Sequence, residues 1–274
     1  MTRLPAAAKI NLALAVGDRR SDGLHELVTV MQRVDLCDDI ELEAGPRLDV
    51  TGFREDTIVR AALERLAEAA GTPPAFRVRI RKGIPVAAGL GGGSADAAAA
   101  LVLANRTLAT PLPRERLHEV AASVGADVPF FLEPGPKLAE GAGERLTPLE
   151  LPQDYWVLVA LPRGAQKGST QEMYARLDAL GSPAGFEMRK RALLEALAAV
   201  RRPRDFTAFP ANDFAEAAGG VPFVQELRAG GAFRADLSGA GPAVYGLFHR
   251  LEHAQATARR LRAEARTWVA APVW

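Results

Sequence analysis

The sequence predicts an α+β fold in two domains: an N-terminal α/β domain over residues 1–150, and a C-terminal domain over 151–274 with helices on an antiparallel sheet. Three observations carry this. Period-2 runs such as Phe76-Arg77-Val78-Arg79-Ile80-Arg81 alternate with helix-period runs such as 56–70. A loop-like stretch, Gly135 to Gly143, followed by Pro148 and Pro152, separates the halves. The second half then orders its elements β-α-(α)-β-β-α-β, a pattern that layers helices on a sheet.

Composition narrows the function classes. Of 274 residues, 48% are hydrophobic and 24% charged, which is ordinary for a globular enzyme. The formal charge of +1 gives no global field for nucleic acid or a membrane surface. One cysteine, Cys37, excludes an internal disulfide framework and a cysteine-based zinc site. No apolar run reaches the roughly 18 residues a membrane span needs. The N-terminus lacks a basic-then-apolar leader pattern, since Lys9 and Asn11 interrupt its apolar stretch. A cytoplasmic chain is expected.

In order, the first half opens on a strand over 6–16, where Ile10, Leu12, Leu14 and Val16 alternate with the other face. Lys9 and Asn11 share that other face. They are either solvent-exposed on an edge strand, or a cation and an amide facing an anionic ligand. A polar turn over 17–26 carries His25 near its end, either a structural hydrogen-bonder or a site residue. Extended runs follow at Leu27–Leu36 and Ile40–Glu43. Asp56 reads as the N-cap of a helix to Ala70, with Val59, Ala62, Leu63 and Leu66 as its apolar stripe. Gly71 and Pro73 end it, and the Phe76–Arg81 strand leads into Lys82.

The next stretch organises the chain: Pro85, Val86, Ala87, Ala88, Gly89, Leu90, Gly91, Gly92, Gly93, Ser94 and Ala95, then a helix to about Leu108. Four glycines in five positions let backbone N–H groups turn inward as an anion nest. The helix behind adds unpaired N–H groups and the positive end of its dipole. Both suit phosphate. Ser94 either caps the helix, reaches a phosphate oxygen or meets a bound Mg2+. No Gly-Lys-Ser/Thr closes the loop, so it is not a Walker A sequence. A helix over Pro113–Val124 precedes Gly125 and Asp127. That aspartate is either a turn residue or a catalytic carboxylate on a short rigid segment.

The second half opens on a buried strand, Trp156–Leu161. Ser169-Thr170-Gln171-Glu172 has the capping-box pattern for a helix through Leu180. Helices are expected near Phe186–Val200 and Pro222–Ala229. A second glycine loop, Ser238-Gly239-Ala240-Gly241-Pro242, precedes strand Ala243–Phe248, helix Leu251–Ala265 and strand Thr267–Val273.

Three separated stretches, Ala8-Lys9-Ile10-Asn11-Leu12, Pro85 to Ala98 and Ser238 to Pro242, resemble in order and spacing the three motifs of the GHMP kinases. Lys9-Ile10-Asn11-Leu12, Arg19 to Gly23 with His25, Gly125 to Phe131 and the triple glycine resemble most the 4-diphosphocytidyl-2-C-methyl-D-erythritol kinases within that superfamily. The resemblance implies an ATP-binding N-terminal domain, a C-terminal domain and an active site in the cleft between them. It implies phosphorylation of the 2-hydroxyl of 4-diphosphocytidyl-2-C-methyl-D-erythritol by ATP with Mg2+, in non-mevalonate isoprenoid synthesis. By carry-over, Asp127 is the base and Lys9 its electrostatic partner. The loop from Pro85 to Ala95 wraps the phosphates, with Ser94 near the metal and Lys82, Asp56 and Asp96 on the adenine side. Asn11 lies near the substrate hydroxyls, His25 bonds the cytosine, Tyr174 stacks on it, and Gly239 and Gly241 help close the site. The resemblance implies a small molecule as the one partner, and a monomer or weak homodimer.

The chain departs from that pattern at Leu24, where the family often has tyrosine, at Ala95, where it has a second serine, and at Asp56 and Asp96, where it has asparagines. Two other readings remain. One is a GHMP kinase on a small alcohol such as homoserine or mevalonate, which would not need His25 and Tyr174. The other is a non-catalytic ATP-binding homologue, which would not need both Lys9 and Asp127.

Overall fold

The computed structural model describes residues 1–165, 170–181 and 185–274. The chain forms two compact units. One holds residues 1–8, 36–86 and 91–134; the other holds 9–35, 87–90 and 135–274. The sequence put one boundary near residue 150, whereas the units are discontinuous. The cause is two long strands, β1 (Thr2–Arg19) and β2 (His25–Ala44), each of which contributes residues to both. They pair with each other. The runs expected at 27–36 and 40–43 are therefore one strand.

In the first unit, the far half of β2 pairs antiparallel with β4 (Phe76–Arg81), Leu42 opposite Val78. The three-residue β3 (Asp49–Thr51) pairs parallel with β4 on its other edge. β4 alternates as its sequence demands: Phe76, Val78 and Ile80 are buried, and Arg77, Arg79 and Arg81 are exposed. On the exposed side Arg77 bonds Glu43 at 2.8 Å, with the two residues directly opposite in the ladder. α1 (Ile58–Ala70) buries Val59, Ala62, Leu63, Leu66 and Ala67, the 3.6-period stripe, and stops at Gly71 in the left-handed conformation (φ 64°). The N-cap is Thr57, one residue after the expected Asp56, and makes no side-chain cap bond; Asp56, just before it, instead accepts from the N–H groups of Val59 (3.0 Å) and Arg60 (3.2 Å). α2 (Gly92–Thr107) is buried nearly all round, and its alanines let neighbouring helices approach closely. α3 (Arg114–Val124) and the short α4 (Val128–Leu132) complete this core.

In the second unit, the near half of β2 pairs with β5 (Lys137–Gly141), Thr29 opposite Ala139, and β5 with β6 (Arg145–Pro148). This stretch was expected to be loop. Its glycines in fact make the turn of a hairpin, Gly141 and Gly143 taking positive φ (76° and 105°). Then come β7 (Trp156–Pro162), α5 (Thr170–Ala179), α6 (Phe186–Ala199), a 3-10 turn at Pro203–Ala208, α7 (Phe214–Ala217) and α8 (Val224–Ala229). Ser169, the expected cap of α5, lies outside the described residues. β8 (Arg234–Leu237), β9 (Val244–Phe248), α9 (Leu251–Leu261), β10 (Ala265–Ala270) and β11 (Pro272–Val273) close the chain. The order β10-β7-β9-β8 is antiparallel throughout, as the sequence pattern suggested. α9 stops four residues before its expected end, because Ala265 is drawn into the β10 ladder opposite Pro162.

Candidate active site

The Lys9 and Asn11 side chains are not on a wet edge. β1 is buried on both faces here, and the two residues are 5% and 3% exposed. A buried ammonium needs partners. Lys9 Nζ donates to Asn11 Oδ1 at 2.7 Å, and Asn11 Nδ2 donates to Thr29 Oγ1 at 2.8 Å. Thr29 Oγ1 donates in turn to the Ala13 carbonyl at 2.6 Å. The Lys9 backbone N–H bonds the Leu90 carbonyl at 3.0 Å, which ties β1 to the glycine loop.

That loop meets the second glycine loop at Gly89. Gly89 has φ 82°, and a Cβ there would lie 2.2 Å from the Ser238 carbonyl oxygen. Only glycine fits. Ser238 Oγ donates to Gly89 O (3.1 Å), and the Ala243 N–H donates to Ala88 O (3.0 Å). A Cβ on Gly239 would sit 3.1 Å from Gly89 O, 3.3 Å from Lys9 Nζ and 3.4 Å from Asn11 Oδ1. The structure thus brings Lys9, Asn11, Gly89 and Gly239 to one place. Gly241 serves packing: a Cβ would meet Leu237 Cδ1 at 2.9 Å.

Asn212, buried at 2% exposure, supports the second loop. Its Nδ2 donates to the Leu237 (3.0 Å) and Gly239 (2.7 Å) carbonyls, and its Oδ1 accepts from the Phe214 N–H (3.0 Å). Its own N–H bonds Asp236 Oδ2, which also receives Arg234 Nη2 at 3.0 Å. Burial pushes the Asp236 carboxyl above its ordinary range, against the pull of Arg234.

The rest of the glycine loop and its helix belong to the first unit. Ala87, where the loop enters the second unit, holds φ 66°, rare for a residue with a Cβ. Gly91, not Ser94, is the N-cap of α2, with φ 69°. The helix therefore starts three residues early and Ser94 stands inside its first turn. The earliest backbone bond is Ala95 N–H to Gly91 O at 2.9 Å. The N–H groups of Gly92, Gly93 and Ser94 precede it and have no intrahelical acceptor, which suits an anion.

Behind the loop, Lys82 Nζ is bound by Asp38 Oδ2 and by Asp96 Oδ2, the latter at 2.7 Å. Asp38 is fully buried, and its Oδ1 accepts from the Gly83 (2.6 Å) and Ile84 (2.8 Å) N–H groups. Asp96 Oδ1 is buried with no hydrogen-bond partner. Burial, then the Asp38 charge, pushes the Asp96 carboxyl up to about 8, although Lys82 opposes it. Burial pulls Lys82 down, but Asp96 and Asp38 outweigh it and its pKa is raised. The expected adenine-side group thus divides. Lys82 and Asp96 are together, while both carboxylate oxygens of Asp56 are engaged on the start of α1.

Asp127 stands at the N-terminal boundary of α4 in αR conformation, with the Val128 N–H bonded to Gly125 O at 3.1 Å. The short helix, with proline in its first turn, gives the carboxylate a rigid base. Asp127 lies in the first unit, Lys9 in the second. In the second unit His25 is 7% exposed. Its Nδ1 bonds Gly17 O at 3.1 Å, so Nδ1 carries the hydrogen. Its Nε2 lies 3.4 Å from Asp178 Oδ1. Tyr174 stacks on His25 itself, with centroids 4.7 Å apart and planes at 18°, and meets Phe214 edge-on. Leu24 is exposed.

The models for the GHMP kinases N terminal domain and the GHMP kinases C terminal match residues 57–135 and 222–267. A 4-diphosphocytidyl-2-C-methyl-D-erythritol kinase of Geobacter sulfurreducens is 38% identical over 98% of this chain and 97% of its own. One of Rhodococcus jostii is 40% identical over 86% and 80%. The chain belongs to the 4-diphosphocytidyl-2-C-methyl-D-erythritol kinase family of the GHMP kinases. A crystal structure of 4-(cytidine 5'-diphospho)-2C-methyl-D-erythritol kinase matches over the whole of both chains, with TM-score 0.81 and 34% identity. A mevalonate kinase structure matches with TM-score 0.76 at 14% identity, which shows the shared fold alone.

As a GHMP kinase the chain is a small-molecule kinase with ATP as phosphate donor. No helix among the described residues is long and apolar enough to cross a membrane. Sequence reasoning missed Thr29, Asp38, Asn212 and Asp178. Thr29 had a signal, a hydroxyl alone between Val28 and Val30 in an apolar run, and Asn212-Asp213 after Pro210 had another in its turn chemistry. Asp38 and Asp178 had none.

Proposed function

We propose that the chain transfers the γ-phosphoryl group of ATP to the 2-hydroxyl of 4-diphosphocytidyl-2-C-methyl-D-erythritol, giving the 2-phosphate and ADP, a step of non-mevalonate isoprenoid biosynthesis. The observation that carries the reading is the buried Lys9 ammonium, held by Asn11 against the joined glycine loops at Gly89 and Gly239. Phosphoryl transfer asks a protein mainly for position and charge neutralisation. Asp127 takes the hydroxyl proton as the oxygen bonds to phosphorus. Lys9 stabilises the charge on that oxygen and on the moving phosphoryl group. The N–H groups of the first turn of α2 and the glycine loop hold the ATP phosphates. Asn11 orients the substrate hydroxyls, and His25 and Tyr174 form the side that meets cytosine. Lys82 and Asp96 lie on the adenine side.

Mg2+ fits this donor set. The metal keeps several waters and binds through substrate phosphates with few protein oxygens. Ser94 in the first turn of α2 would supply a hydroxyl oxygen, and the bound ion would neutralise phosphate charge.

The test is coupled ADP release with Mg-ATP and four acceptors: the cytidyl substrate, homoserine, mevalonate, and the same substrate without its cytidyl group. Turnover confined to the cytidyl compound is expected. Turnover with a small alcohol alone would move the substrate, and ATP binding without any turnover would end the catalytic reading.

A further inference from the structure

We infer that Thr29 is a positioning residue for phosphoryl transfer: its hydroxyl fixes which way the Asn11 amide faces, and through it where the Lys9 ammonium stands. The inference rests on the reading that Lys9 serves the transfer. A hydroxyl has one hydrogen. Thr29 spends it on the Ala13 carbonyl at 2.6 Å, an acceptor that can take nothing else from it. Toward Asn11, Thr29 can then only accept. The Asn11 NH2 group must face it, at 2.8 Å. The amide oxygen is thereby turned the other way, where Lys9 Nζ meets it at 2.7 Å. A flipped amide would set NH2 against ammonium and leave two acceptors facing at the hydroxyl.

The relay is buried throughout, Thr29 at 4% exposure, so water does not substitute for a lost partner. Thr29 is held in turn by the β2–β5 ladder, opposite Ala139. Lys9 is held along the backbone by Leu90 O. The hydroxyl is therefore the fixed end of the relay and the ammonium the working end. Reaching from strand β2, Thr29 acts without touching either substrate.

The experiment compares Thr29→Val, which keeps the shape and removes the hydroxyl, with Thr29→Ser, which restores it. Thr29→Val is expected to lower kcat about tenfold, the cost of stranding one buried donor at the site, with KM for ATP little changed. Thr29→Ser should recover most of kcat. In an Asn11→Ala background Thr29→Val should cost nothing further, because the two act as one unit. Unchanged kcat in Thr29→Val, no recovery with serine, or multiplicative effects with Asn11→Ala would each overturn the inference. Should Thr29→Val fail to fold, as judged by circular dichroism, Thr29→Ala replaces it in the same comparison. Loss of the fold in both would make Thr29 structural and overturn it too. Lys9→Ala is assayed alongside: near-normal turnover there overturns the underlying reading, and a collapse there with Thr29→Val silent overturns only this one.

Discussion

Two lysines of the proposed site have different polar neighbours. Lys82, in the first unit, is clamped by charge between Asp38 and Asp96. Lys9, in the second, donates to the Asn11 amide, behind which stands the Thr29 hydroxyl. A charged clamp is strong only while every charge is matched, since an uncompensated buried ion costs several kcal/mol. A relay of neutral groups is weaker per bond, yet it fixes direction and does not titrate. The comparison sets a cluster expected to serve the fold, Lys82 with Asp38 and Asp96, against a relay proposed to serve the reaction, Thr29 and Asn11 behind Lys9.

The sharpest test of that division is at the reaction. Lys9→Ala is expected to cost about 10²- to 10³-fold in kcat, as for loss of a preorganised charge stabiliser. Asp127→Ala is expected to cost about 10²- to 10⁴-fold, as for loss of a general base. Melting temperatures should stay close to that of the parent in both. Near-normal turnover in either purified variant removes that residue from the mechanism. Lys82→Met should behave in the converse way. It leaves Asp38 and Asp96 buried side by side without their cation, at an expected cost of about 3–5 kcal/mol in urea unfolding. Unchanged stability would break the comparison at its charged end.

Legibility in the sequence followed the same line. Local patterns were readable because they are local. The alternation of β4, the apolar stripe of α1, the carboxylate of Asp56 at its start and the glycine loops all announce themselves within a few residues. The run of β2 through Cys37-Asp38-Asp39 did not, because polar residues in an extended run read as a break. There Asp38 faces inward and is satisfied by two backbone N–H groups and Lys82, some 45 positions on. Asn212 likewise earns its place only by touching Gly239, 27 positions away. Family motifs mark the residues expected to touch substrate, Lys9, Asn11 and Asp127. The side chains behind them are found only when the chain is folded. The extra start of α2 at Gly92 has the same origin: the left-handed Gly91, not the serine, turns the chain into the helix.

The charged clamp should also show itself in pH. Asp38 has partners for both oxygens, so the one proton that two carboxylates and one ammonium leave unsettled falls on Asp96, whose Oδ1 has none. Its carboxyl is pushed from 3.8 up to about 8. Between those values the folded chain holds a proton that the unfolded chain releases, so this group's contribution is full below about pH 4 and is lost as pH rises towards 8. The slope is at most about 1.4 kcal/mol per pH unit, the value for one proton. In the metal-free enzyme, unfolding free energy should therefore fall from pH 5.5 to 8, and Asp96→Asn should flatten that fall. Parallel slopes for parent and variant would sink the assignment of the proton to Asp96.

The smallest effect is the most discriminating for the neutral side. Asn212→Leu keeps volume and removes the donors to Leu237 O and Gly239 O and the acceptor for the Phe214 N–H. Stranding such groups costs about 1–3 kcal/mol. Nothing in that change titrates near neutrality, so the loss should be the same at pH 6 and pH 8, unlike that of Lys82→Met, which should ease at pH 6 as Asp96 takes its proton. Because the Gly239 backbone lies beside Lys9 and Asn11, the variant should also lower kcat several-fold while leaving KM for ATP near its parent value. A pH-dependent loss of stability would mean that the Asp236 and Arg234 pair behind Asn212, not its amide, carries the loop, and the second unit would then rest on charge as the first does.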